Sequence, residues 1–480
     1  MVDALIGVDV GTTAVKAVMA DLSGQRLAEY AATYPTVRAG AGVEQNPGDW
    51  WGHVEAALAR FAASGARVRA IGITGQVNTH VFCDAVFGVL RPAITWADVR
   101  AAGEGAALEA RISMEAKIAA LGAPIPIDAS HALSRMEWVA AQEPEVWART
   151  AWVMAPKDWI IARLTGVAGA DALASVGLAG EDLRYAGAVT RLVGRADDVL
   201  PPLQDPLDVA GVVQVGPFAG VPVVRGTMDA WAAMFGVGVA REGQAMNLSG
   251  TSEVMGVISA TRNPVAGVIT FPAWRGITLH AGPTQSGGAS LDWIGRIVGR
   301  GAAETVALVE GMEIGLSSPL FLPHLAGERA PLWDAQARGV FAGLSSATGP
   351  GEMVLAVMEG VAFSARLALE ALEAAGGVRP EVIRAGGGGT TSDRWCAVRA
   401  DVFGRPLVRM AARDAGAVGA MVMAGAGAGV VADLAAAADM VPQERVFMPD
   451  PARVAMAEER FTIWKELYAQ VRPVNARLAG

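Results

Sequence analysis

The first apolar run of the chain, Ala4-Leu5-Ile6-Gly7-Val8-Asp9-Val10, is short and rich in β-branched residues, which predicts a buried strand. Gly11-Thr12-Thr13 follows as a tight turn, and Ala14-Val15-Lys16-Ala17-Val18-Met19-Ala20 as the returning strand. The chain therefore opens on a β-hairpin with a small, hydroxyl-rich turn. The same pattern returns in Ala245-Met246-Asn247-Leu248, the turn Ser249-Gly250-Thr251-Ser252, and Glu253-Val254-Met255-Gly256-Val257-Ile258. Gly250 lies 239 residues beyond Gly11 in a chain of 480. A hairpin repeated at half the chain length predicts a duplicated fold.

Helical and strand patterns alternate between and after the hairpins. Gly48-Asp49-Trp50-Trp51 opens a helix running to about Ala63, with Asp49 near its positive end. Val68 to Thr74 is a strand ending at Gly75-Gln76. Arg135–Ala140 and Asp158–Leu164 read as helices, the second stopped by Thr165-Gly166. Val221–Val224 is a short strand leading into Gly226-Thr227-Met228-Asp229. Met353 to Ala375 is one long helix stopped by Gly376-Gly377, and Val382–Ala385 is a strand that runs into Gly386–Gly389, ahead of a helix carrying Arg394-Trp395-Cys396. Mixed strands and helices in two similar halves give an α/β fold of two domains, 1–242 and 243–480, divided near Arg241-Glu242-Gly243.

Composition narrows the function classes. Apolar residues make up 52% and charged residues 18%, which excludes a disordered chain. The formal charge is −9 and no basic run occurs, which removes the electrostatic basis for a nucleic-acid role. Two cysteines far apart, Cys83 and Cys396, argue against a disulfide scaffold and suit a reducing, cytoplasmic setting. The segment Met1–Ala4 carries Asp3 and no basic stretch, so no signal peptide is expected. Ala415–Ala432 is uncharged and approaches the length of a membrane span. It consists largely of Ala and Gly and lacks Leu, Ile, Phe and Trp, so a buried, closely packed helix is expected and no membrane partner.

Gly11-Thr12-Thr13 after a strand offers successive N–H groups and two hydroxyls to a phosphate, with Lys16 as an added cation. Asp9 is placed to hold Mg²⁺, which favours one or two carboxylates together with phosphate oxygens. An ordinary hairpin with a capping Asp has the same local sequence. Gly250-Thr251-Ser252 is a second cradle of the same kind, and Gly386–Gly389 has room for a phosphate or a flat ring. Asp229, at the mouth of a strand, suits a general base, although a solvated loop Asp has the same local pattern. The five histidines lack the i, i+4 spacing of a metal site. Neither G-x-x-x-x-G-K-[ST] nor a G-x-G-x-x-G in a strand–helix context is found. Trp96, in a polar stretch with Asp98 and Arg100, is placed near a sugar.

In order along almost the whole chain, these segments resemble the FGGY carbohydrate kinases, most closely their pentulose (xylulokinase-like) branch. The residues that carry the resemblance are Ile6–Lys16, Glu44-Gln45-Asn46-Pro47-Gly48-Asp49-Trp50-Trp51, Pro156–Trp159 through Gly166, Gly339–Leu344 with Glu352-Met353 and Met358-Glu359-Gly360, and Gly387–Trp395. The resemblance implies an actin-like, hexokinase-type (ribonuclease H-like) fold of two duplicated domains about a central cleft. Sugar would bind mainly to the first domain and ATP mainly to the second. It implies Asp229 as the base and Asp9 as the residue organising Mg²⁺. Gly11, Thr12, Thr13 and Lys16, together with Gly250 and Thr251, would contact the ATP phosphates, while Gly288, Gly388 and Ser392 would flank the nucleotide. Gln76, Val77 and Asn78 would line the sugar site, with Trp96 and Asp98 near it. A homodimer is a further expectation.

Xylulokinases usually carry Gly-Gln-Met-His-Gly where this chain has Gly75-Gln76-Val77-Asn78-Thr79, and glycerol kinases carry an Arg-Glu pair at Val77 and Asn78. The expected reaction is ATP-dependent phosphorylation of a ketopentose such as D-xylulose. The alternatives are another ketose or polyol (ribulose, erythritol-like), or an actin-like ATPase without sugar chemistry.

Overall fold

The structure is a computed structural model and describes residues 1–479. The chain divides into two compact units, Met1–Gly236 with Asp414–Val441, and Val237–Arg413 with Pro442–Gly480. Instead of a single boundary near Arg241–Gly243, the chain crosses between the units at 236/237, 413/414 and 441/442.

The first unit is built on a six-stranded sheet. Strands β1 (Asp3–Val10), β2 (Ala14–Asp21) and β3 (Arg26–Thr33) form an antiparallel meander. β4 (Arg67–Gly75) pairs parallel to β1, β6 (Pro222–Val224) pairs parallel to β4, and β5 (Val209–Val212) closes that edge antiparallel to β6. The second unit repeats the scheme. β7 (Ala245–Ser249) and β8 (Glu253–Ser259) form the hairpin, β9 (Ile269–Thr270) and β10 (Thr278–Pro283) extend it antiparallel, β11 (Ile383–Gly386) and β12 (Leu407–Met410) continue it in parallel, and β13 (Gln443–Phe447) ends it antiparallel. The duplication expected from the two hairpins is therefore present in six matched strands, with β9 added at one edge of the second sheet.

Alternation along β1 explains how the first sheet is covered. Ala4, Ile6, Val8 and Val10 join a core with Trp50, Val54 and Phe61 of helix Pro47–Ala62 and with Trp159–Ala162 of helix Pro156–Thr165. The other parity, Leu5, Gly7 and Asp9, meets helix Ala415–Gly427, which comes from the far end of the sequence. That helix lies almost on the sheet backbone. A Cβ at position 7 would stand 1.9 Å from the Ala417 carbonyl oxygen, and one at 72 would stand 1.9 Å from that of Ala420. On its other side, a Cβ at Gly419 would stand 1.6 Å from the Ala232 carbonyl oxygen of helix Asp229–Gly236. The expected buried helix is thus present, held by close backbone approach rather than by large side chains. It ends at Gly427, short of Ala432, in a turn where Val430 N–H bonds back to the Gly425 carbonyl and Gly429 takes φ +65°. Among the described residues, no helix is long and apolar enough to cross a membrane.

Between β4 and β5 the first unit carries a further helical core around Phe82, Ile94, Leu133, Met136 and Val139, which includes helix Ala132–Gln142. In the second unit, helix Pro350–Gly376 packs Val354, Val357, Val361 and Leu372 with Val257, Ile383, Trp395 and Trp464 in one apolar cluster.

Candidate active site

In the first unit the hairpin sets Asp9 opposite Lys16, and the Gly11 N–H donates to the Ala14 carbonyl at 3.2 Å to close the turn. The turn is braced from outside. The Tyr34 hydroxyl donates to the Gly11 carbonyl, and Gln45 Nε2 donates to the Thr12 carbonyl at 2.7 Å. Thr13 stays exposed.

Asp9 faces the start of helix Ala415–Gly427, where a Cβ at Gly416 would fall 2.4 Å from its Oδ2. Its Oδ1 is buried without a hydrogen-bond partner among the described residues. Burial pushes this carboxyl up to about 7; the Asp229 and Asp414 charges add to the rise and Lys16 opposes it. Lys16 Nζ lies 3.0 Å from Asp414, the residue that precedes the helix. An all-oxygen carboxylate with an unsatisfied buried atom suits a hard divalent cation such as Mg²⁺, which takes one or two carboxylates and fills its other positions with water or phosphate. No cluster of three or more acidic, His or Cys side chains able to hold a metal occurs among the described residues.

Asp229 begins helix Asp229–Gly236, and the Ala230 N–H donates to its Oδ1 at 2.8 Å. Burial pushes its carboxyl up to about 6. The segment before it is locked in place. Gly226 takes φ +63°, and a Cβ there would stand 2.1 Å from the Ile73 carbonyl oxygen. Thr74 Oγ1 donates to the Thr227 carbonyl at 2.6 Å, and Thr227 Oγ1 donates to Asp171 at 2.7 Å. Asp171 is in turn 2.7 Å from Lys157 Nζ, and all of these side chains are buried.

The expected sugar segments lie against the same turn. Gln76 is buried, donating to Gln45 Oε1 at 2.9 Å and accepting from Thr79 Oγ1 at 3.0 Å. Gln45 therefore ties the Gln76 loop to the Thr12 backbone. Asn78 takes φ +52°, a region Asn tolerates better than most residues, and its amide donates to Ser130 Oγ at 3.4 Å. Val77 is half-buried. Trp96 is half exposed; its backbone N–H donates to Thr79 Oγ1 at 3.2 Å, and its indole N–H donates to Thr12 Oγ1 at 3.1 Å. Asp98 is buried, and its carboxylate is occupied by the Val43 N–H at 2.6 Å and by the Arg100 backbone and guanidinium. These bonds fix the Asp98 carboxylate two residues along from Trp96.

Two first-unit residues join this set that spacing alone did not reveal. One is Asp414, the partner of Lys16. The other is Arg135, fully buried on helix Ala132–Gln142, whose guanidinium donates to the carbonyls of Asn78 and Thr95 and lies 2.8 Å from His80 Nδ1. It ties together the two loops that carry Asn78 and Trp96. Burial lowers its pKa to about 10, so it stays charged at neutral pH.

The second unit carries the other expected group. The Gly250–Ser252 turn is closed by a 2.9 Å bond from Gly250 N–H to the Ser252 carbonyl, and its Gly250 and Thr251 carbonyls accept from Gly288 and Ala289 N–H at 2.8 and 3.0 Å. Gly288 thus begins helix Gly288–Ile297 directly beside the turn, and Thr251 is exposed. Behind the turn, Ser249 and buried Glu253 are joined to buried Arg399, which also donates to the Gly389 carbonyl at 3.2 Å. Gly387, with φ +90°, wraps the end of β7, and a Cβ at Gly388 would meet nothing within 4 Å. Ser392 Oγ caps helix Asp393–Phe403 by accepting from the Trp395 N–H at 3.2 Å.

Residues 4–236 match the N-terminal domain, and residues 245–428 the C-terminal domain, of the FGGY family of carbohydrate kinases. The chain is 30% identical over 494 residues to the xylulose kinase of Escherichia coli (strain K12), covering 98% of this chain and 100% of that one. It is also 30% identical over 485 residues to the xylulose kinase of Klebsiella pneumoniae, covering 98% and 99%. The crystal structure of a xyloylose kinase from Brucella ovis superposes with a TM-score of 0.86 at 27% identity, over 98% of this chain and 100% of that one. The chain belongs to the FGGY family of carbohydrate kinases, ATP-dependent enzymes that phosphorylate sugars.

Proposed function

We propose that this FGGY kinase transfers the γ-phosphoryl group of ATP to a hydroxyl of a ketopentose, with D-xylulose as the first substrate to test. The observation that carries the reading is the pairing of two carboxylates, Asp9 directly ahead of the Gly11–Thr13 turn and Asp229 near enough for its charge to act on Asp9. The similarity to proteins named xylulose kinase supports the choice of sugar.

Asp229 is mainly ionised at pH 7 and above, so it accepts the proton as the sugar O–H bond breaks. The sugar oxygen bonds to the γ-phosphorus, the bond from that phosphorus to the bridging oxygen breaks, and ADP leaves with the electron pair. Thr12, Thr13 and Lys16 in the first unit, and Gly250 and Thr251 in the second, bind phosphate oxygens. Gly288, Gly388 and Ser392 border the nucleotide. Asp9 would hold Mg²⁺, which would neutralise phosphate charge. Gln76 and Val77 shape the sugar loop, Asn78 supplies an amide that both donates and accepts, and Trp96 supplies an apolar face.

Asn78 also favours a second reading, a kinase for a related ketose or alditol, because an amide stands where xylulokinases usually carry histidine. Coupled ADP-release assays across D-xylulose, L-xylulose, D-ribulose, erythritol and glycerol separate the two. The highest kcat/KM on D-xylulose is expected. A different preferred sugar selects the second reading, and ATP turnover independent of every sugar refutes both.

A further inference from the structure

The second unit contains a cation that the reaction as described does not use. Arg329 lies in the stretch Gly327-Glu328-Arg329-Ala330-Pro331. Its guanidinium donates to Ser252 Oγ at 3.1 Å and to the Thr284 carbonyl at 2.5 Å, so it is anchored on the Gly250–Ser252 turn itself. It is half-buried, and its Nε is buried with no hydrogen-bond partner among the described residues.

Two neutral oxygens do not balance its charge, and no carboxylate forms an ion pair with it among the described residues. Its neighbour Glu328 is committed elsewhere. That carboxylate accepts from Ser286 Oγ, His324 Nδ1, Ser364 Oγ and the N–H groups of Gln285 and Arg329. With so many donors it stays ionised, below the usual carboxylate range. It fixes the backbone from which Arg329 projects. In the first unit, by contrast, Lys16 has Asp414 at 3.0 Å. A partly desolvated guanidinium without a paired carboxylate, beside a turn of exposed backbone and hydroxyl groups, is suited to an anionic ligand.

We propose that Arg329 binds the polyphosphate of the nucleotide beside the Gly250–Ser252 turn. The proposal rests on the reading of this chain as an ATP-dependent kinase and adds a residue to it. The competing role is a strut that only links Ser252 to Thr284.

Arg329→Gln and Arg329→Lys in the full chain separate the two. Affinities for ATP, ADP, AMP and adenosine are measured by calorimetry alongside the melting temperature. Removing a charged hydrogen bond to the phosphates lowers the affinity for ATP and ADP by roughly 10- to 100-fold. Adenosine and AMP are expected to stay within about twofold of wild type, because their recognition lies elsewhere. Arg329→Lys, which keeps the charge, is expected to recover part of the ATP affinity. Unchanged ATP and ADP affinity, or equal weakening of all four ligands, overturns the proposal. If Arg329→Gln does not fold, the same four-ligand comparison on Arg329→Lys decides, with competition by pyrophosphate as its second readout. Sugar turnover is measured in parallel on the wild-type enzyme. Its absence on every sugar refutes the kinase reading, while a polyphosphate-selective weakening in the variants still supports the role of Arg329.

Discussion

Replacing Asp229 with Asn removes the ionisable group and keeps its shape and its ability to accept from the Ala230 N–H. The structure raises this carboxyl from 3.8 to about 6, chiefly by burial. That shift penalises the charged form by about 3 kcal/mol. Below pH 3.8 the carboxyl is protonated in both folded and unfolded chains, and the penalty vanishes. Between 3.8 and about 6 the unfolded chain releases the proton while the folded chain keeps it, so stability falls as pH rises. Above about 6 the folded chain bears the full penalty. Asp229→Asn is therefore expected to be more stable than wild type at about pH 7.5, by up to about 3 kcal/mol, with the difference closing toward about pH 4. Urea unfolding of both proteins in EDTA, free of nucleotide, measures this directly. In the same preparations, wild-type kcat/KM for the sugar at saturating Mg-ATP falls on the acid side with a midpoint near about 6. Turnover of the variant is lower by roughly 10²–10⁴. A folded variant with near wild-type turnover, or equal stability of the two proteins at that slightly alkaline pH, refutes the reasoning.

Gly419→Ala places a methyl group 1.6 Å from the Ala232 carbonyl oxygen and forces helix Ala415–Gly427 away from helix Asp229–Gly236. Overpacking of this kind costs about 1–3 kcal/mol, so both melting temperature and sugar turnover fall, as calorimetry and the coupled assay will show. Asn78→Ala is expected to lower kcat/KM for the sugar while KM for ATP holds, and Asn78→His to move preference toward D-xylulose; an unchanged sugar ranking in both variants makes Asn78 a turn residue only. Thr251→Val removes one exposed hydroxyl at nearly constant volume, and a rise in KM for ATP is expected from steady-state kinetics, because the hydrogen bond it would make to phosphate is worth about 0.5–1.5 kcal/mol or more.

The two hairpins and the long helix Pro350–Gly376 were legible because their signals are local: apolar runs, glycine turns and a helical period ended by Gly377 at φ +62°. The first unit's membership was not. The Ala- and Gly-rich run from Ala415 shows closeness of packing, but nothing in it names β1 and β4 as what it packs on. Asp9, Asp229 and the Gly-Thr turns could be picked out by their place at strand ends. Arg135 and Arg329 could not, since their partners are distant in sequence: Asn78 for one, Ser252 for the other. Arg135 reads as one more charge on an amphipathic helix, and Arg329 sits in a stretch with no periodicity. Asp98 shows the opposite difficulty. The resemblance puts it near the sugar, but its local sequence does not show that the Arg100 guanidinium and the distant Val43 amide bond its carboxylate.

The return of Asp414–Val441 to the first unit sets a schedule for synthesis. When Gly236 leaves the ribosome, β1 and β4 lack the helix that covers Gly7 and Gly72, and the remaining 177 residues up to Arg413 must be made before that helix emerges. At about 5–20 residues per second this delay is roughly 9–35 s. During it, a twisted sheet is exposed on one face, with small residues where a side-chain layer would otherwise shield it. A nascent chain stalled after residue 242 is therefore expected to recruit holding chaperones and to remain sensitive to protease. Release past residue 441 ends both, so the first unit commits to its native state only after the 177 intervening residues have been made.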